Sequence, residues 1–124
     1  MTKHRIVVKL GTSTLTGGEA SLSMKRMFDI VRQTTELLAR DWQVVLVSSG
    51  AIRAGREALN FPQLPSFVPA KQMLAAVGQP HLMNLYDQFY RMFNQPVAQV
   101  LLTREDFTNR QRFLNMRSTF EALL

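Results

Sequence analysis

Two short stretches carry residue types that could hold an anion. Lys9 lies in the apolar run Arg5-Ile6-Val7-Val8-Lys9-Leu10, and Gly11-Thr12-Ser13-Thr14 follows it at once. An amine next to a backbone position without a side chain suits phosphate, because the missing Cβ lets the chain approach the oxygens closely. The second stretch, Ser48-Ser49-Gly50, ends the apolar run Gln43–Val47 and passes straight into helical sequence. A helix start offers unpaired N–H groups and a positive dipole end, which attract phosphate or carboxylate. Each stretch also has a plainer reading. Lys9 could be a strand-end lysine reaching solvent, and the serines could cap the following helix while Gly50 relieves the turn. The two readings of the serine turn are compatible, since a cap can still present free N–H groups. No G-x-G-x-x-G and no Gly-Lys-Ser/Thr ending occurs. His4 and His81 stand far apart without metal-ligand spacing, and Glu105-Asp106 reads as a solvated helix entry. No protein-held metal is therefore expected.

These residues need a frame. Arg5–Leu10, Gln43–Val47 and Pro96–Leu102 read as strands, the first stopped by Gly11, the second by Ser48-Ser49-Gly50 and the third delivering Thr103. Met24, Met27, Phe28, Val31, Thr35 and Leu38 recur at helical spacing, which predicts an amphipathic helix ending near Asp41. A short helix is expected over Ala51–Leu59. A longer one is expected from Pro69 to about Asn94, kinked or broken at Gly78 and Pro80. Thr108 with Gln111 forms a capping-box pattern that opens a last helix, with Phe113, Met116, Phe120 and Leu123 on one face. Gly11–Gly18 reads as a small-residue loop. Near-continuous apolar strands alternating with helices predict an α/β fold, a three-layer α/β/α sandwich with a mainly parallel sheet. In such sheets ligands bind beyond the carboxyl ends of the strands, the edge at which Lys9, Ser49 and Thr103 fall. Three strands followed by the apolar helix end Leu123-Leu124 predict a fold incomplete at its C-terminus.

Composition narrows the function classes. The chain has 124 residues, 46% apolar and 19% charged, a globular composition of about one domain. With no cysteine it has neither a disulfide framework nor a thiolate metal site. No window approaches the roughly 18 apolar residues of a membrane span, and the start is too short in apolar residues for a secretory signal. A cytoplasmic protein without membrane association is expected. The net charge of +6 is scattered from Lys3 to Arg117 and interleaved with Glu105 and Asp106, without a nucleic-acid reading module. No nucleic-acid partner is expected, and a basic surface also suits anionic small molecules.

Several blocks resemble the amino acid kinase family. They are Val7–Ser13, Val47–Ile52 with Ala54-Gly55-Arg56, Lys71-Gln72 with Leu74–Gln79, Gln99–Arg104, and Arg112–Asn115. They run in order along nearly the whole chain and resemble most the branch that phosphorylates the side-chain carboxylate of L-glutamate. The resemblance implies transfer from ATP, with Mg2+, giving L-glutamyl 5-phosphate, the first step of proline synthesis. It implies ATP-site roles for Lys9, Gly11, Thr12 and Ser13, with Lys9 catalytic through charge neutralisation, and a glutamate-binding role for Ser49 and Gly50. It further implies that residues 1–124 are the N-terminal portion of a kinase domain. The rest of that domain, and any PUA domain, would lie outside this sequence. On that reading the chain alone is inactive, and the whole enzyme forms homo-oligomers. A kinase for a different carboxylate, carbamate or phosphate, or a non-catalytic anion-binding module, remains the alternative.

Overall fold

The computed structural model describes residues 3–66 and 68–124. Strands β1 (Arg5–Leu10) and β2 (Gln43–Ser48) pair in parallel, with Arg5 opposite Gln43 and Leu10 opposite Ser48. Side chains alternate across a strand, so Val8, Leu10 and Leu46 face the core while Val7, Lys9 and Val47 lie on the other face. Between the strands run α1 (Thr12–Thr16) and α2 (Met24–Leu38). After β2 come α3 (Ala51–Ala58) and α4 (Val68–Arg91), then α5 (Glu105–Thr108) and α6 (Arg110–Leu123).

The core forms where one sheet face meets α2 and α4. Met27 and Val31 from α2 join Leu82, Tyr86 and Tyr90 from α4, each set at helical spacing, around Leu10 and Leu15. Ser23 opens α2 by accepting a hydrogen bond from the Arg26 N–H, as its residue type favours. Buried hydroxyls find partners: Thr34 Oγ1 lies 2.7 Å from Tyr90 OH and also donates to the α2 backbone.

The expected α/β alternation and parallel pairing are present, and four local expectations change. Pro96–Leu102 forms no strand among the described residues. A strand exists only through a ladder; Pro96 lacks an N–H, Val97 docks on the core by its side chain, and Leu101 is 77% exposed. α4 runs unbroken through Gly78 and Pro80. An interior proline costs about 3 kcal/mol, but Leu74 and Leu82 on either side are fully buried, each worth about 1.5–3 kcal/mol, and Pro80 itself is exposed. The Gly11–Gly18 loop contains the short helix α1, pinned by buried Leu15 and ended by Gly17 in the left-handed region at φ 65°. The last helix is capped by Asn109 rather than Thr108. Asn109 Oδ1 accepts from the Arg112 N–H at 3.0 Å, while the Thr108 hydroxyl turns back to the Arg104 carbonyl.

Helices α3 and α4 cross where two glycines meet. A Cβ built on Gly55 would overlap the Leu74 carbonyl, and one on Gly78 would overlap the Ala51 carbonyl and the Gly55 nitrogen. The backbones are therefore in direct contact, and α3 is fixed along α4. The opposite sheet face stays open: Val7 is 62% and Val47 50% exposed. The end of α6 reaches β2 there, where Gln43 Nε2 donates to the Leu124 carbonyl at 2.6 Å. The apolar stripe of α6 is likewise uncovered at Phe113 and Leu123.

Candidate functional site

The parallel register decides where the two anion-binding stretches fall. Because Leu10 pairs with Ser48, both strands stop at the same level, and the Ser49 N–H donates to the Leu10 carbonyl at 2.8 Å. The turns that leave the two strands, Gly11-Thr12-Ser13 and Ser49-Gly50, are thus neighbours along one rim at the carboxyl ends. Lys9 and Ser49 share that rim. By strand parity Lys9 lies on the open face beside Val47, and no carboxylate among the described residues forms an ion pair with it. Such an amine keeps its charge available for an anion.

Both turns enter helices. Gly11 precedes α1 with extended backbone, and nothing lies within 4 Å of where its Cβ would be, so the approach to this N–H cluster is open. Gly50 precedes α3 with φ 110°, a conformation that side chains disfavour, and a Cβ there would come within 3.1 Å of Leu15 Cδ1. Leu15 of α1 therefore packs directly beneath the start of α3. One buried leucine couples the two turns. The first-turn N–H groups of α3 have no intrahelical acceptor, and neither serine supplies one, since the cap at Gly50 has no side-chain bond. The expected serine cap is absent because Gly50, not a serine, occupies the cap position.

The two serines divide their tasks. Ser48 falls on the core-facing parity with Leu10, and its Oγ lies 2.7 Å from Tyr86 OH of α4 and 2.8 Å from the Ser49 carbonyl. Burial pushes the Tyr86 phenol above its ordinary value, so it stays protonated at neutral pH. Ser49 is exposed at the rim, and its hydroxyl makes no hydrogen bond among the described residues. Sequence reasoning missed Tyr86. Its only trace is a hydroxyl-bearing residue on the buried stripe of a helix, four positions from a second such residue, Tyr90.

Thr103, expected at the end of a third strand, sits in a hydrogen-bonded cluster. Asp106 Oδ2 accepts from its N–H and hydroxyl, and Arg112 joins Asp106 and Glu105 at 3.0 Å each. The bond from the Thr103 N–H holds the Asp106 carboxyl below the usual carboxylate range. With its carboxylate occupied this way, Glu105-Asp106 is helix-entry chemistry, as its sequence suggested. His4 is exposed and stacks on Trp42 with ring centroids 5.0 Å apart. Among the described residues, no three His, Cys, Asp or Glu side chains gather to hold a metal, and no helix is long and apolar enough to cross a membrane.

An amine, free hydroxyls and two helix starts lie together on one rim of a parallel sheet, groups of a kind that suits an anion. The model of the amino acid kinase family matches residues 4–124. The chain belongs to the amino acid kinase family. Among its curated relatives, glutamate 5-kinase of Escherichia coli O1:K1 and that of Enterobacter sp. strain 638 are each 50% identical over 119 residues. Glutamate 5-kinase of Sodalis glossinidius is 48% identical over the same length. These alignments cover 96% of this chain and 32% of each relative, so this amino acid kinase segment spans about a third of the proteins it matches.

Proposed function

We propose that residues 1–124 are the N-terminal portion of the kinase domain of a glutamate 5-kinase, a cytoplasmic enzyme of proline biosynthesis. The complete domain is a three-layer α/β/α sandwich in which further segments cover the open face carrying Val7 and Val47. The whole enzyme transfers the γ-phosphoryl group of ATP to the side-chain carboxylate of L-glutamate, giving L-glutamyl 5-phosphate, and works as a homo-oligomer. The observation that carries this reading is the bond from the Ser49 N–H to the Leu10 carbonyl, which holds the lysine-glycine turn and the serine-glycine turn side by side.

In this reading Lys9 offsets charge on the transferring phosphoryl group, and Gly11, Thr12 and Ser13 line the phosphate loop. Ser49 and Gly50 receive L-glutamate. Phosphoryl transfer depends on positioned donors and cations more than on covalent help from the protein. The glutamate carboxylate is ionised at neutral pH, with an ordinary pKa of about 4.3, so it attacks without a general base. The donors on this rim fit phosphate and carboxylate oxygens. They do not fit a protein-held Mg2+, which needs carboxylate ligands, so this segment meets the ion only as the counter-ion of ATP.

The test joins this chain to the remaining two thirds of the Escherichia coli O1:K1 relative and measures glutamate-dependent ADP release. Activity is expected in the joined protein and not in the 124-residue chain. In the joined protein, Lys9→Ala lowers turnover by about 10²-fold or more, the scale for removing one positioned charge-stabilising donor. Glutamate-dependent ADP release by the separate chain, or full activity with Lys9→Ala, overturns the reading.

A further inference from the structure

Tyr86 reaches the rim through a relay. The Ser48 hydroxyl has a single proton, and its Oγ lies 2.8 Å from the Ser49 carbonyl, so that proton is donated there. The contact between Ser48 Oγ and Tyr86 OH, at 2.7 Å, then has Tyr86 as donor. The chain of bonds runs from the phenol to the serine hydroxyl to the Ser49 carbonyl. It fixes one peptide plane, Ser49–Gly50. That peptide is trans, and in a trans peptide the carbonyl and the following N–H point in opposite directions. Because the carbonyl points at Ser48 Oγ, the Gly50 N–H points away from Ser48 and Tyr86. Gly50 is buried, yet its N–H has no hydrogen-bond partner among the described residues. An N–H without a partner in a buried residue is uncommon, and this one lies next to the exposed Ser49.

We propose that Tyr86 is a positioning residue, which through Ser48 orients the Ser49–Gly50 peptide so that the Gly50 N–H is presented to the carboxylate of the acceptor substrate. This rests on the glutamate kinase reading for the identity of the ligand, while the orientation itself does not depend on it. Tyr86 touches no reactant. It sits on α4, which is fixed to α3 by the Gly55–Gly78 contact, so β2, the turn and α3 are held from one rigid helix.

Tyr90 supplies a matched control. It stands one helical turn further on, is buried to the same degree, and makes a hydroxyl bond of the same 2.7 Å length to Thr34, away from the serine turn. In the 124-residue chain, Tyr86→Phe and Ser48→Ala should each move the Ser49 carbonyl carbon and Gly50 amide resonances, while Tyr90→Phe leaves them in place. Combining Tyr86→Phe with Ser48→Ala should add nothing at those two resonances. In the joined enzyme, Tyr86→Phe should raise KM for L-glutamate about fivefold, the scale of one net hydrogen bond, with KM for ATP unchanged. Unmoved resonances in Tyr86→Phe, or equal movement in Tyr90→Phe, overturn the proposal. So does an unchanged glutamate KM. A joined enzyme that is inactive before any substitution counts against the kinase reading alone, and the resonances still decide the role of Tyr86.

Discussion

Gly78→Ala should destabilise the chain, although the same change in an open helix stabilises. Replacing glycine by alanine in a helix interior ordinarily gains about 0.5–1 kcal/mol. Here the new methyl group would overlap the Ala51 carbonyl and the Gly55 nitrogen, which are backbone and cannot rotate aside. α3 and α4 must separate, loosening the fully buried Ala54 and Leu74 between them. Overpacking of this kind costs about 1–3 kcal/mol, and rigid neighbours place it at the upper end. The net loss is about 2 kcal/mol, or a fall in Tm of roughly 6–10 °C for a domain of this size. Gly11→Ala is the comparison, because nothing lies within 4 Å of its Cβ position and φ is −78°. There a gain from reduced unfolded-state freedom opposes the weaker capping by alanine, so stability should stay within about 0.5 kcal/mol of the parent. Urea unfolding followed by circular dichroism measures both. A Gly78→Ala chain as stable as the parent would refute the backbone contact between α3 and α4.

Asn109→Ala should cost about 1 kcal/mol of helix stability as a lost cap, and Thr108→Ala much less; amide exchange along α6 distinguishes them. Tyr90→Phe should destabilise by about 0.5–1 kcal/mol, the low end for a buried hydrogen bond, because Thr34 keeps its bonds to the Ile30 and Val31 carbonyls. Asp106 is depressed in the folded chain. Its stabilising contribution is therefore present above its unfolded pKa of about 3.9 and disappears as pH falls through its lower folded value. Carbon-detected titration of its carboxyl should show that depressed midpoint, and Arg112→Ala should move the midpoint back up.

Strands β1 and β2 and helices α2 and α3 were legible because local pattern and tertiary packing agree. Val8 alternates with the exposed Val7 and Lys9, and Met27 and Val31 repeat at helical spacing on the face that is buried. The rim was legible for the same reason: two apolar runs ended by small residues can meet at one level only if they pair in parallel. Pro96–Leu102 misleads because an apolar run reports burial preference and not the presence of a pairing partner. Pro80 misleads because its local cost carries no sign of the buried leucines on either side. α1 was hidden behind threonines and serines of weak helix preference, and only the burial of Leu15 shows why it forms. The glycine crossing and the tyrosine relay have no local pattern at all. Both depend on which residues of α4 meet α3 and β2, which is decided in three dimensions.

In the proposed function, Lys9 and the two turns act together on one anionic ligand. Titrating the isotope-labelled chain with ATP tests this directly by backbone resonances. Shifts should saturate together at Lys9, Gly11–Thr14 and Ser49–Ile52, and vanish in Lys9→Ala. Shifts spread instead over Arg104–Arg117, or unaffected by Lys9→Ala, would contradict a shared phosphate ledge and leave only diffuse attraction to a basic surface.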